Sequence, residues 1–207
     1  LKQHGVDLLL AHAPDRKEVP PVLARNQVDG ALLFGSEEVS APLLKALSNV
    51  PVVWCSGSAN EVTRRFDHVL YDKSKVGRLA AEYLIKAGHR RLAFLNIWAE
   101  SLIFSQRRET FVRVAEENGA GVDIITPSEK SGSNKTVTVV KELTKRLVSI
   151  TPRPTGLFCP ADDLMLLVYN SLHKLGYEPG EDIELIGCNN EAVFLEQMHP
   201  KPATVDI

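Results

Sequence analysis

Short apolar runs alternate along the chain with longer segments in which apolar residues recur every three or four positions. The short runs are bounded by turn residues and rarely alternate with polar residues, which is typical of strands that are covered on both faces. They predict strands at residues 6–11, 29–34, 51–54, 92–96, 122–126, 155–159 and 183–187, and the last four residues, TVDI, resemble a further strand.

The longer segments carry apolar stripes with helical spacing, and several of them end at a glycine. They predict helices over residues 72–87, 134–148 and 163–175, with a further helix around Phe111. Strands separated by helices of about 10–15 residues indicate βαβ units and a parallel sheet. Because βαβ connections are almost always right-handed, the sequence predicts a doubly wound α/β fold.

Ligands of doubly wound sheets bind beyond the carboxyl ends of the strands, so the residues that follow each strand are the first candidates for a site. Ser56, Trp98, Asp162 and Asn189 hold such positions. Asn189 belongs to the stretch LIGCNNE, residues 185–191, in which two adjacent amides follow a buried run. These amides either turn the chain or hold a ligand.

Several function classes lack support in the sequence. There is no G-x-G-x-x-G, G-x-x-x-x-G-K-[ST] or G-x-S-x-G motif, so nucleotide binding and hydrolase chemistry have no signature here. The formal net charge of −2 is spread over mixed acids and bases, so no basic face is available for nucleic acid phosphates. No apolar stretch approaches the ~20 residues that cross a bilayer.

The three cysteines, Cys55, Cys159 and Cys188, are odd in number and widely spaced. This pattern fits neither a disulfide framework nor the C-x-x-C spacing of a zinc site. It predicts reduced, buried thiols in a cytoplasmic protein, and we expect no metal and no cofactor.

Seven segments of the chain together resemble the effector-binding domain of the lactose repressor family of bacterial transcription regulators. They are VDGALLF, PVV, VLYDKSKVGRLAAEYLIKAGHRRLAFL, RRETF, TGLFCPADD, DIELIGCNNE and PKPATVDI, in the order and at the spacing of that family. The resemblance implies two doubly wound parallel-sheet subdomains of the periplasmic-binding-protein type, truncated at both ends. It implies a first subdomain over residues 1–71 without its first strand, a second over 72–203, and the start of a return crossover at 204–207.

The resemblance assigns ligand contacts to two residues above all. Arg107 is similar in position to the arginine of the R-x-x-G-[FW] element, whose planar guanidinium can hold paired hydroxyls or a carboxylate. Asn189 stands where the family's G-x-D-[DN] element has its first acid. An amide both donates and accepts and carries no charge, so we expect a neutral polyol or sugar rather than a cation.

Four further residues are candidates on the same grounds. Ser56 lies where the family often carries an acid, Trp54 could stack on a sugar face, and Trp98 could form a pocket wall. Asp162 matches the aspartate of an N-D element and stays among the ligand-binding candidates, although its position also predicts the N-cap of the helix that follows.

The expected function is that of a ligand-sensing domain in a cytoplasmic, homodimeric transcriptional regulator. A small effector, expected to be a sugar, would bind in the cleft between the subdomains and control operator binding through a DNA-binding header that is missing from this chain. One alternative is an exported sugar-binding protein of a transport system. The other is an α/β enzyme, for which the sequence offers no nucleophile–base pair.

Overall fold

The structure is a computed structural model that describes residues 4–12, 18–34, 39–55, 64–98, 101–127 and 136–207. The chain divides into two compact units, unit 1 from Leu1 to Tyr71 and unit 2 from Asp72 to Ile207. Each unit contains its own parallel sheet. The two separate sheets confirm the predicted α/β class with two parallel-sheet subdomains.

Unit 1 is built on a three-stranded parallel sheet in the order β1-β2-β3. Two helices cover one face of it, and their core contains the buried residues Leu23, Leu47 and Val52. The elements of this unit are α1 (Pro21–Ala24), β1 (Ala31–Phe34), α2 (Ala41–Leu47), β2 (Val52–Cys55) and β3 (Asp67–Val69).

The predicted strand at residues 6–11 is wrong. The segment is irregular, and it pairs with no strand in the part of the chain that the structure describes. Its apolar side chains are exposed, and that of Leu10 is 98% accessible. A strand needs a neighbour to satisfy its backbone groups, and an apolar run alone cannot supply one. The apolar pattern of this segment is therefore not matched by burial.

Unit 2 contains a five-stranded parallel sheet, called the larger sheet below, in the order β5-β4-β6-β7-β8. The chain order reverses beside β4, because β5 pairs on one side of it and β6 on the other. The elements are α3 (Lys73–Lys86), β4 (Arg91–Leu95), α4 (Leu102–Glu117), β5 (Gly121–Ile125), α5 (Thr136–Ser149), β6 (Gly156–Phe158), α6 (Asp162–Lys174), β7 (Glu184–Cys188), α7 (Ala192–Leu195) and β8 (Ala203–Val205).

The larger sheet is covered on both faces, as its continuous apolar strands require. Helices α5 and α6 pack on one face, over alternate strand residues such as Ala93, Leu95 and Leu157. Helices α3 and α4 pack together on the other face. There, Phe94, Phe111 and Phe158 form an aromatic cluster with ring centroids 5.3–6.1 Å apart. Thr204 and Val205 of the final TVDI segment lie in β8, which pairs with β7 and belongs to unit 2.

A glycine brings α3 and α4 into close contact. A Cβ added at Gly77 would lie only 2.1 Å from the backbone oxygen of Arg107. No side chain fits in this space, so Gly77 fixes where α4 lies along α3. Since α4 carries Arg107, the glycine also sets the position of a candidate site residue.

We predict that Gly77→Ala destabilises the chain. Alanine favours a helix by about 1 kcal/mol over glycine, but forcing α4 away should cost about 1–3 kcal/mol, so the net loss should be about 1 kcal/mol. Urea unfolding measures the change. Gly121→Ala is the matched control, because its added Cβ would meet no atom within 4 Å. A Gly77→Ala variant at least as stable as the parent protein would contradict this packing.

Candidate functional site

The candidate site lies at the carboxyl edge, by which we mean the residues just beyond the carboxyl ends of the strands of the larger sheet. Asn96 follows β4, Pro160 lies after β6, and Asn189 follows β7. The strand order reverses between β4 and β6, and such switch points form crevices in doubly wound sheets. The position of the site therefore follows from the topology.

Arg107 projects from α4 toward this switch point. Its side chain is buried, with 2% of the residue accessible, and its guanidinium donates a hydrogen bond to the carbonyl oxygen of Pro160. The guanidinium carbon lies 5.5 Å from the ring centroid of Phe104, within cation–π range. Arg107 thus connects α4 to the end of β6 and presents a fixed cationic group at the switch point.

Trp98 forms an aromatic pair with Phe104 on the same side of the site. The two ring centroids are 4.9 Å apart with an interplanar angle of 31°. Trp98 remains 39% accessible, so part of its ring faces solvent. Trp98, the predicted pocket wall, is therefore a partly exposed aromatic ring that packs on Phe104, which in turn contacts Arg107.

Sequence reasoning missed a series of hydrogen-bonded polar side chains at the end of β4. Asn96 is buried, its side-chain oxygen accepts from Arg108 at 3.2 Å, and its amide donates to the hydroxyl of Thr126 at 3.2 Å. The signal was available, because Asn96 is a polar residue at the end of an apolar run. Its place inside the predicted strand 92–96 hides this role in the sequence pattern.

The predicted N-cap role of Asp162 is wrong. Helix α6 has Ala161 at its N-cap position without a side-chain cap, and Asp162 is the first helical residue, with 0% accessibility. Its carboxylate turns toward the sheet instead. One oxygen accepts the Glu191 N–H at 2.9 Å, and the other accepts the Thr204 hydroxyl at 2.8 Å. Asp162 therefore joins three elements that are far apart in sequence.

Gly187 makes this arrangement possible. A Cβ at this position would lie 2.1 Å from Oδ1 of Asp162 and 2.6 Å from Cε of Met165. The glycine in LIGCNNE therefore leaves the space that the Asp162 carboxylate occupies against β7. A side chain there would displace the carboxylate from its partners.

The two amides of LIGCNNE do turn the chain. Asn189 and Asn190 have φ angles of 108° and 55°, and asparagine tolerates positive φ better than most residues. The Asn189 N–H donates to the carbonyl of Val205 at 2.9 Å. Burial, followed by the nearby Asp163 and Asp162, raises the pKa of Glu191, and a hydrogen bond with the Asn189 side chain acts to lower it. Asn189 is only partly buried, so it borders the site.

The thiol of Cys188, the last residue of β7, is affected by two of the candidate site residues. Burial raises the pKa of its thiol to about 11, with Arg107 acting to lower that pKa and Asp162 acting to raise it. Direct contacts give the two positions: Arg107 donates to Pro160 after β6, and the Asp162 carboxylate lies against Gly187 of β7. The structure brings Arg107, Asp162 and Asn189 together at the carboxyl edge, with Trp98 beyond Phe104.

The two candidates from unit 1, Trp54 and Ser56, belong to a different unit from the other candidates. Trp54 is 3% accessible and packs against Phe66 and His68, with ring centroids 6.2 and 6.5 Å away. The structure gives this ring a packing role, and a sugar contact by Trp54 stays a prediction. Ser56 lies outside the described residues.

Comparison with known proteins decides the family. A family model described as periplasmic binding protein-like domain matches residues 81–207, more than half of the chain. The chain belongs to this family. The result agrees with the parallel sheet and the strand order of unit 2.

Relatives of this domain include transcriptional repressors. The HTH-type transcriptional repressor PurR of Mannheimia succiniciproducens is 29% identical over 197 residues, which cover 91% of this chain and 57% of that protein. The chain thus spans about half the length of the curated relatives it matches. The resemblance to the lactose repressor family is confirmed by these relatives and by the structural matches.

Solved structures share the fold. A regulatory protein of the LacI family from Chloroflexus aggregans has a TM-score of 0.72 at 24% identity, over 89% of this chain and 65% of that one. A LacI family regulator from Enterococcus faecalis, solved with bound ribose, has a TM-score of 0.70 at 22% identity, over 87% of this chain and 63% of that one. None of the helices that the structure describes has the length and apolar character needed to cross a membrane.

The buried Asp162 carboxylate predicts a specific pH dependence. Burial raises its pKa, and the hydrogen bonds from Glu191 and Thr204 offset this only in part. A carboxyl group with a raised folded-state pKa binds its proton more tightly in the folded state. Its contribution to stability is therefore greatest below the unfolded pKa of about 3.9 and declines as pH rises through the folded pKa.

Asp162→Asn should remove this contribution. The free energy of unfolding of the parent minus that of the variant should fall as pH rises from about 4, and urea unfolding at several pH values measures it. Asparagine keeps the size of the side chain and an acceptor oxygen, so the variant is expected to fold. A difference that stays constant with pH would contradict the assignment.

Proposed function

We propose that this chain is the ligand-sensing domain of a DNA-binding transcriptional regulator and that a neutral sugar is bound at the carboxyl edge of the larger sheet. The observation that carries the proposal is that Arg107 donates to the carbonyl oxygen of Pro160, just after β6, while Asn189 follows β7, the neighbouring strand. Polar groups held on a rigid sheet edge next to an aromatic surface are typical of small-molecule sites.

The chemistry of these groups favours hydroxyl ligands. The Arg107 guanidinium offers N–H donors in a fixed plane, and the Asn189 amide can both donate and accept. A sugar hydroxyl does the same, so one hydroxyl can serve both groups. The partly exposed ring of Trp98 supplies an apolar surface for the C–H face of a sugar. Ribose bound to the Enterococcus faecalis regulator gives this ligand class a precedent in the fold.

Regulation of transcription is supported by the curated relatives, which are named HTH-type transcriptional repressors. Those names favour a cytoplasmic regulator over an exported sugar-binding protein or an enzyme. We propose that operator contacts are made by a helix-turn-helix header and that the intact regulator is a homodimer, since two-fold operators match two-fold proteins. The near-neutral charge of this chain is consistent with DNA contacts made elsewhere.

A thermal-shift panel of neutral monosaccharides that includes D-ribose tests the proposed function. A ligand that binds the folded state alone raises the melting temperature, and the rise grows with the logarithm of the ligand concentration once that concentration exceeds Kd. We expect at least one sugar to raise it and charged amino acids to leave it unchanged. A panel in which only cationic ligands stabilise the chain would refute the proposal.

Asn189→Gly should weaken the binding of the stabilising sugar. Glycine accepts the positive φ of this residue, so the change removes the amide without straining the turn. Loss of a hydrogen-bonding partner costs roughly 1–3 kcal/mol, so calorimetry should show affinity reduced about five- to 150-fold.

Asn190→Gly is the matched control for this variant. It lies in the same turn, also has a positive φ, and is exposed to solvent. Its affinity should stay within about twofold of the parent, since its backbone and not its side chain holds the turn. If Asn189→Gly binds the sugar as tightly as the parent protein does, Asn189 only shapes the turn.

A further inference from the structure

The turn after β7 is held by two side chains from other elements. Asp162 lies at the start of α6 and Thr204 lies in β8, and we call their hydrogen-bonded pair the Asp162–Thr204 clamp. The Thr204 hydroxyl donates to Asp162 Oδ1 at 2.8 Å and accepts the Asn190 N–H at 3.3 Å. Oδ2 of Asp162 accepts the Glu191 N–H at 2.9 Å. Two consecutive amides of the turn therefore end on the clamp.

The turn needs such support. Asn189 and Asn190 both have positive φ, a region that non-glycine residues populate sparsely and hold only when their surroundings fix them. The Asn189 N–H is already committed to Val205 of β8. Together, the amides of Asn189, Asn190 and Glu191 are each fixed by β8 or by α6. The conformation of the turn is thus set from outside its own sequence.

The chemistry of the clamp requires a hydroxyl at residue 204. A hydroxyl can donate to a carboxylate and accept an N–H at the same time, which is what Thr204 does. A methyl group in its place would do neither. It would leave Asp162, buried beside Gly187, without its side-chain donor.

We propose that Thr204 is a positioning residue for ligand binding: with Asp162, its hydroxyl holds residues 189–191 in the conformation that presents the Asn189 amide to the ligand. The ligand part of this inference rests on the proposed function. Because Thr204 lies in β8, the clamp also ties the ligand-facing turn to that strand. A movement of the turn on ligand binding would therefore be transmitted to β8 through the Thr204 hydrogen bonds.

Two substitutions at Thr204 test the clamp. Thr204→Val keeps the shape of the side chain and removes the hydroxyl, whereas Thr204→Ser keeps the hydroxyl. Tyr169→Phe is the matched control, since it deletes a hydroxyl that donates to the carbonyl of His199, in the same unit.

Amide hydrogen exchange of the whole chain gives the first result. In Thr204→Val, exchange at Asn190 and Glu191 should accelerate about tenfold more than at Cys159, whose N–H is bonded to Ile186 within the sheet. Thr204→Ser should restore the parent rates, and Tyr169→Phe should cause no selective change. Uniform acceleration at all amides of Thr204→Val, or failure of Thr204→Ser to restore protection, would overturn the clamp.

Calorimetry with D-ribose gives the second result. Affinity should fall about five- to tenfold in Thr204→Val and stay within about twofold of the parent in Thr204→Ser and Tyr169→Phe. Parent-like affinity in Thr204→Val would overturn the positioning role. If the parent protein binds no sugar, that failure belongs to the proposed function, and hydrogen exchange alone decides whether the clamp holds the turn.

Discussion

The buried carboxylate of Asp162 is the interaction on which the carboxyl edge of unit 2 depends. A carboxylate with no solvent access must be satisfied by hydrogen bonds, and its two oxygens find partners on Glu191 and Thr204. Those partners come from the turn after β7 and from β8, while Asp162 itself begins α6. One side chain therefore fixes three elements that the sequence keeps apart.

Two glycines allow the polar groups of the site to approach the backbone. Gly187 leaves space for the Asp162 carboxylate, and Gly77 lets α3 contact α4 at the carbonyl of Arg107. Through this packing, Arg107 reaches the carbonyl of Pro160 at the end of β6. The positions of Asp162 and Arg107 thus depend on the absence of a side chain at Gly187 and Gly77.

The strands of unit 2 and its four long helices, α3 to α6, could be predicted from apolar spacing, because each is a local pattern. The short helix α7 was not predicted. The interactions of Asp162 could not be predicted, since a residue before a helix suggests a cap, while its actual partners are about 30 and 40 residues away. Residues 6–11 show that an apolar run alone does not make a strand, because they pair with no strand among the described residues. The left-handed Asn189–Asn190 turn was suggested by its residue types, but its dependence on Thr204 was not.

We propose that the carboxyl edge, and no other surface of unit 2, binds the effector. A competing location exists at the opposite edge of the larger sheet, where a cavity of about 250 Å³ is lined by residues that include Tyr169, Glu184 and Lys201. Backbone amide chemical shifts, followed by NMR while the stabilising sugar is titrated, distinguish the two. We predict the largest shifts at residues 96–98, 104–108 and 187–191. Shifts confined to the residues around Glu184 and Lys201 would contradict this proposal.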